Sequence, residues 1–326
     1  MTNGENVGSQ FVNGNLVFND SLTGAALLTI APAGVQIGAI KGTSYYVNGS
    51  TGSDTLNNGL SWASPLLTIA AAVALAVAGD TIYIYGTAFS EAVTCSVAGV
   101  RFIGVGTGPA QATWTAPTVA GSWCLKLNAA YCSVFNIKIK PVIYTSSGVP
   151  SGIFLTSVAS YTRIVGNRFQ GQAGSYTAIY NDTPCDNVEI SENEFLSMNT
   201  LSQGKAIYGV DNSGVTAHSA WKIKNNTFNS CVQDINITGR TCLLEGNKHF
   251  INGLAADGTF GSAVTTKAID LSGTGSGANV VTKNTLGGTY GLTLYTPGAT
   301  GDIWNGNYTG IVSTYAPYGL TVDVPH

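Results

Sequence analysis

Asp182 and Asp211 are the residues of this chain best placed to share a chemical task. Asp182 stands three residues after Ile179 and Asp211 four after Ile207, and each isoleucine is the centre of an identical Ala-Ile-Tyr tripeptide. If those tripeptides occupy equivalent places in a repeat, the two carboxylates lie side by side. A pair of this kind can act as acid and base at a glycosidic bond, with the separation choosing retention or inversion. Glu189, Glu192 and Glu194 form a second acidic group, one repeat before Lys222 and Lys224. The alternative for both groups is a solvated surface, with the glutamates in cross-repeat ion pairs of small value. Five tryptophans, Trp62, Trp114, Trp123, Trp221 and Trp304, could stack on sugar rings or fill an interior. Trp221 and Trp304, with Glu189 and Glu192, make the candidate binding set.

Metal chemistry finds little support. The six cysteines (Cys95, Cys124, Cys132, Cys185, Cys231, Cys242) show no CxxC spacing and read as small buried fillers. The three histidines lie far apart, which argues against a zinc site. Asp54, alone among amides in its loop, makes a poor calcium site. No cofactor is expected.

The repeat that would position the carboxylates is visible in two ladders. The first runs through Leu125, Ile153, Ile179, Ile207, Ile235, Ile269 and Leu294, at intervals of 28, 26, 28, 28, 34 and 25 residues. Intervals of this size signal a repeat architecture. The segments between are rich in Gly, Asn, Ser and Thr, so the repeating unit is β. The second ladder, out of phase, places an asparagine in each rung: Asn167, Asn193, Asn226, Asn247, Asn284 and Asn307, as in IVGNRF, ISENEF, IKNNTF, LEGNKHF, VTKNTL and IWNGNY. Asparagine tolerates the left-handed region, which suits a tight turn once per coil. Stacked asparagines can also bond to one another in a column.

With these ladders the chain resembles a right-handed single-stranded parallel β-helix of the pectate-lyase-like type, with three short strands per coil, from roughly Tyr45 to the C-terminus. Such a scaffold hosts unrelated activities. The segment Tyr45–Tyr85 is similar to the opening module of surface and phage β-helix proteins: a strand, a Gly/Asn/Ser loop, a proline, an Ala-rich helix over Thr68–Ala78, then GDTIYIY. A helix there would cover the apolar end and open strand edges of the first coil. The organisation expected is a β docking segment over 1–42, a module with capping helix over 43–80, and roughly nine coils with a C-terminal cap over 81–326. Asn13-Gly14 marks a hairpin in the first segment. Loops lengthen at Tyr144–Ser151, Asn252–Lys267 and Ser272–Gly277, where a solenoid's working surface collects.

Charged residues make up 10% of the 326-residue chain and its net charge is −3, so no nucleic-acid footprint is visible. No stretch is apolar enough to span a membrane, and Met1–Gln10 lacks the pattern of a secretion signal. Two functional classes follow. One is a bacteriophage virion protein, a tail spike or head-decorating spike that attaches to host-surface or environmental polysaccharide. Its N-terminal segment would bind other virion proteins. Resemblance to phage spikes implies a homotrimer, and the expected location is the virion. The other is a polysaccharide lyase or glycoside hydrolase on the same scaffold, with Asp182 and Asp211 as its catalytic carboxylates. A surface adhesin is a third reading, and it calls for an export signal.

Overall fold

The computed structural model describes residues 8–12, 15–19, 26–31, 34–37, 42–86, 89–118, 122–141, 151–171, 177–181, 183–198, 204–209, 217–251, 267–288, 295–296 and 301–309. The chain forms two compact units, Met1–Gly42 and Thr43–His326. In the first, strands Gly8–Val12, Asn15–Asn19, Ala26–Ala31 and Gly34–Ile37 make an antiparallel sheet in sequential order. Val12 pairs with Asn15 across positions 13 and 14, where the sequence places its hairpin.

The second unit is a right-handed parallel β-helix with three faces. Face A stacks eight strands from Val93–Cys95 to Tyr295–Thr296. Face B stacks ten from Ser44–Asn48 to Ile303–Asn305. Face C stacks nine from Phe89–Ser90 to Tyr308–Thr309. Each coil visits A, B and C in turn, as in Trp123–Leu127, Ser133–Phe135 and Lys138–Lys140.

The isoleucine ladder is the interior of face A. Leu125, Ile153, Ile179, Ile207, Ile235 and Ile269 pair rung to rung, each with no more than 1% of its surface exposed. Burying one such side chain stabilises by about 1.5–3 kcal/mol. The last rung differs from expectation: Ile269 pairs with Tyr295, one residue beyond Leu294, which lies outside the described residues. Face B buries Phe102, Val134, Ile164, Ile190, Ile223, Leu244 and Val281 in the same manner. On face C the rings of Phe169, Phe195, Phe228 and His249 stack at 4.9 Å with interplanar angles of 5–7°. That spacing matches the distance of about 4.8 Å between neighbouring strands.

The asparagine ladder lines the corner from B to C. Asn167, Asn193, Asn226, Asn247, Asn284 and Asn307 are at most 3% exposed. Each Oδ1 accepts from the backbone N–H one coil earlier, and from Asn193 onward also from the amide of the previous asparagine, at 2.9–3.1 Å. Each Nδ2 also donates to a carbonyl of the preceding coil, as Asn226 does to Ile190. The left-handed residue is the one before the ladder asparagine: Gly166, Glu192, Asn225, Gly246, Lys283 and Gly306. The asparagine is selected for its stacked amide, and its neighbour makes the turn.

At the opening end the helix spans Ile69–Leu75, shorter than the sequence pattern allowed, and buries Ile69 and Ala72. It packs on strands Val93–Cys95, Ser44–Asn48 and Thr81–Tyr85, covering the first coil. Its orphan N–H groups have dedicated acceptors, as a helix start requires. Ala71 donates to Thr68 Oγ1, and Ile69 and Ala70 donate to the Glu91 carboxylate. Burial raises the Glu91 carboxyl against these two backbone bonds. Asp54 accepts from the N–H groups of Leu67 and Thr68, which is its role in the loop. All six cysteines are buried.

Candidate functional site

Along each face A strand, the residue after the ladder position points outward. The strands place Lys126, Phe154, Tyr180, Tyr208, Asn236 and Asp270 in register, one per coil. A second column in register, three residues earlier, holds Trp123, Ser151, Thr177, Lys205 and Gln233, of which Ser151 and Thr177 are buried. The upper part is aromatic. Phe154 and Tyr180 centre at 5.3 Å, Tyr180 and Tyr208 stack at 5.7 Å, and Trp123 lies 5.7 Å from Phe154. Tyr180, held between its neighbours, is only 6% exposed. The upper end of the column is closed by Lys126, whose Nζ lies over the Trp123 and Phe154 rings at 5.1 and 5.0 Å.

Below the rings the face turns polar. Lys205 Nζ sits 3.5 Å from the centroid of the Tyr208 ring, a desolvated cation–π contact. Burial draws its amine down to about 8, and the Asp270 charge pulls in the other direction. Burial also raises the Tyr208 phenol. Asn236 donates to Gln233 Oε1 at 3.0 Å, and Asp270 accepts from the amide and hydroxyl of Ser272. Ammonium, phenol, two amides and a carboxylate thus occupy three neighbouring coils. Lys205, Tyr208, Gln233 and Asn236 can hydrogen-bond to several hydroxyls at once, while Asp270, 6% exposed, is held by Ser272, and the lysine is poised to exchange a proton near neutral pH.

The described residues that the sequence singled out lie elsewhere. Asp182 and Asp211 fall outside the described residues. Trp221 is not a sugar platform: it is fully buried, donates to the Cys185 carbonyl at 2.7 Å and leans on the His218 ring. It precedes a face B strand, at a position that points inward in neighbouring coils as Cys132, Val188 and Cys242. Its bulk is matched by Gly209, where a Cβ would come 3.1 Å from the indole; Asn181 and Ile237 hold that place in adjacent coils. Trp304 is half-buried in register with Val281, against the core rather than on the outer surface. Glu189 lies on face B, bonded to Arg163 at 2.8 Å, and the arginine holds its carboxyl below the usual range. Glu192 is an exposed turn residue at φ +59°. The glutamates' ion-pair partners are Arg163 and Arg168 of the preceding coil, while Lys224 pairs with Glu245. Sequence reasoning passed over Lys205, Tyr208, Gln233, Asn236 and Asp270, although KAIY, QDIN and KAID hold them beside the ladder isoleucines.

A three-sided coil and an asparagine corner define the fold as a parallel β-helix. No protein-family model matches the sequence, and no curated protein matches it. Among solved structures the chain is similar to a GH136 lacto-N-biosidase from Eubacterium ramulus, at TM-score 0.61 and 14% identity, over 82% of this chain and 56% of that one. It therefore spans little more than half the length of that enzyme. A rhamnogalacturonan lyase aligns at TM-score 0.44 and 14% identity, over 82% of this chain and 73% of that one. At these identities the likeness concerns the fold. No helix among the described residues is long and apolar enough to cross a membrane.

Proposed function

We propose that the chain recognises a polysaccharide along the outer side of face A, with the polar cluster from Lys205 to Asp270 making the specific contacts. The observation that carries this reading is the desolvated Lys205 amine over Tyr208, beside two outward amides and Asp270. Holding an ammonium out of water lowers stability, so its place on an outer face suits ligand binding better than folding. The expected result is that Lys205→Met and Tyr208→Ala each weaken oligosaccharide binding by about tenfold, the cost of one charge-assisted contact. Wild-type affinity should also fall as pH rises through about 8, where the amine loses its charge, and the Lys205→Met profile should be flat. Unchanged affinity in both variants removes face A from the reading.

Two finer readings share this surface. The first is a phage spike, in which the Met1–Gly42 unit attaches the β-helix to a particle and many copies bind weakly together. Particles should then contain the chain at high copy number and lose it when Met1–Lys41 is deleted; a deleted chain that stays on the particle refutes the attachment role. The second is a depolymerase, favoured by a lysine amine near pH 8 in the same cluster as Asp270. Failure of the wild-type chain to release new sugar ends from any bound polysaccharide refutes it.

A further inference from the structure

The small net charge hides a sharp division along the chain. Positions 1–91 carry one Lys or Arg and five carboxylates, positions 92–181 six and none, and positions 182–326 seven and twelve. The middle segment winds the coils from Val93–Cys95 to Thr177–Asn181, so these coils form a girdle of charge +6. Arg163 and Arg168, on its last complete coil, are paired with Glu189 and Glu194 of the next coil. Lys138 and Lys140 have no such partner among the described residues.

These two lysines face outward from face C, either side of buried Ile139. They are two residues apart, a distance of about 7 Å along a strand. Lys138 is directly paired with Arg168 one coil further on. Elsewhere on the outer faces the coils bring opposite charges together, as with Arg163 and Glu189 or Lys283 and Glu245. Here cation stands against cation, an arrangement that weakens a sheet. Lys138 carries the cost: burial lowers its amine, and the charges of Lys140 and Arg168 lower it further. Thr115 lies in register with Lys140 on the other side, and the adjacent outward residue after Arg168 is Gln170. The patch thus offers two ammonium groups, a guanidinium, a hydroxyl and an amide, with Glu194 as the one described carboxylate in contact.

We propose that Lys138, Lys140 and Arg168 form an anion site on face C, separate from the face A cluster, that takes a tetrahedral oxyanion carried on a polymer, a phosphate or sulfate ester. Two lysines without a carboxylate partner among the described residues, beside an Arg168 that also holds Glu194, match an anion with several oxygens, and a planar carboxylate would leave part of the set unused. The girdle around the patch draws a polyanion toward it at low ionic strength.

The test uses the full chain with polyphosphate and with dextran sulfate, and polygalacturonate as the carboxylate control. At low salt the wild type should bind at least one of the first two more tightly than the control. The Lys138→Gln/Lys140→Gln pair, which keeps long polar stems, should weaken that binding by about tenfold or more. It should unfold at the same or higher urea, because repulsion is relieved. Lys222→Gln/Lys248→Gln, exposed lysines of the acidic half, should bind as wild type does. A preference between polyphosphate and dextran sulfate identifies whether the site takes a phosphate or a sulfate group. Failure of the wild type to bind either polymer overturns the proposal, as does equal loss in the Lys222/Lys248 pair. Equal binding of polygalacturonate overturns its tetrahedral part.

Discussion

Asn226→Ala lowers the stability of the β-helix by about 3–5 kcal/mol, as the sum of several buried groups left without partners. Asn226 is fully buried in the middle of the column. Its Oδ1 accepts from the backbone N–H of Asn193 at 3.0 Å and from the Asn193 amide at 3.1 Å, and its Nδ2 donates to Ile190 O and Asn247 Oδ1. Alanine removes all four contacts and leaves the Asn193 N–H inside the corner without an acceptor. Aspartate has the same size and keeps the acceptor, but it loses the donor to Asn247 and buries a charge, so it should be no better. A terminal member is the natural control: Asn307 donates to Val281 and accepts from Asn284, with no further asparagine beyond it among the described residues, and should cost less. Urea unfolding of the three variants gives the order. If Asn226→Ala matches an exposed polar-to-alanine change, the column is not what holds the corner.

That corner also shows what the sequence could convey. Asn167 to Asn307 marked the repeat because one buried amide per coil has no close substitute. The inward isoleucines marked face A for the same reason. The registers of Ile179, Ile207 and Ile235 were legible before any coordinate, as was the fate of the cysteines. Side-chain direction was harder to read. LEGNKHF places Phe250 where other rungs have their terminal aromatic, yet the inward position is two residues after the asparagine, so His249 enters the ring stack and Phe250 is exposed. Trp221 looked like a surface aromatic because nothing local declares its direction; the compensating Gly209 lies on a different strand. The functional face was hidden differently. Outward residues differ from coil to coil, from Phe154 to Asp270, so the ladder that finds the fold averages the site away. The charge girdle was missed because Lys and Arg were judged by local runs, and a β-helix gathers residues from neighbouring coils.

His249→Phe alone destabilises the protein at neutral pH by about 3–5 kcal/mol, the effect of depriving a buried carboxylate of its partner. His249 occupies the ring column directly after Phe228, and its Nδ1 meets Asp234 Oδ2 at 2.8 Å with both side chains at most 1% exposed. Asp234 stands where neighbouring coils have Ala178, Ala206 and Ala268. The pair is thus a polar exchange at two positions that are apolar in adjacent coils. Burial raises the Asp234 carboxyl and the histidine only partly reverses this. A carboxyl whose folded value lies above its unfolded one stabilises the fold when protonated, and that contribution is lost as pH rises through the folded value. The single His249→Phe variant should therefore recover stability in acid, where Asp234 takes up a proton. The double variant Asp234→Ala/His249→Phe completes both apolar columns and should equal or exceed wild type by about 1–4 kcal/mol, with this segment of the pH dependence gone. Urea midpoints of the four proteins across pH 4–8 close the cycle, since ladder packing and pair electrostatics predict opposite orders for the double variant and wild type. A double variant weaker than either single change would show that the coil needs the His–Asp contact itself and that apolar matching with its neighbours cannot replace it.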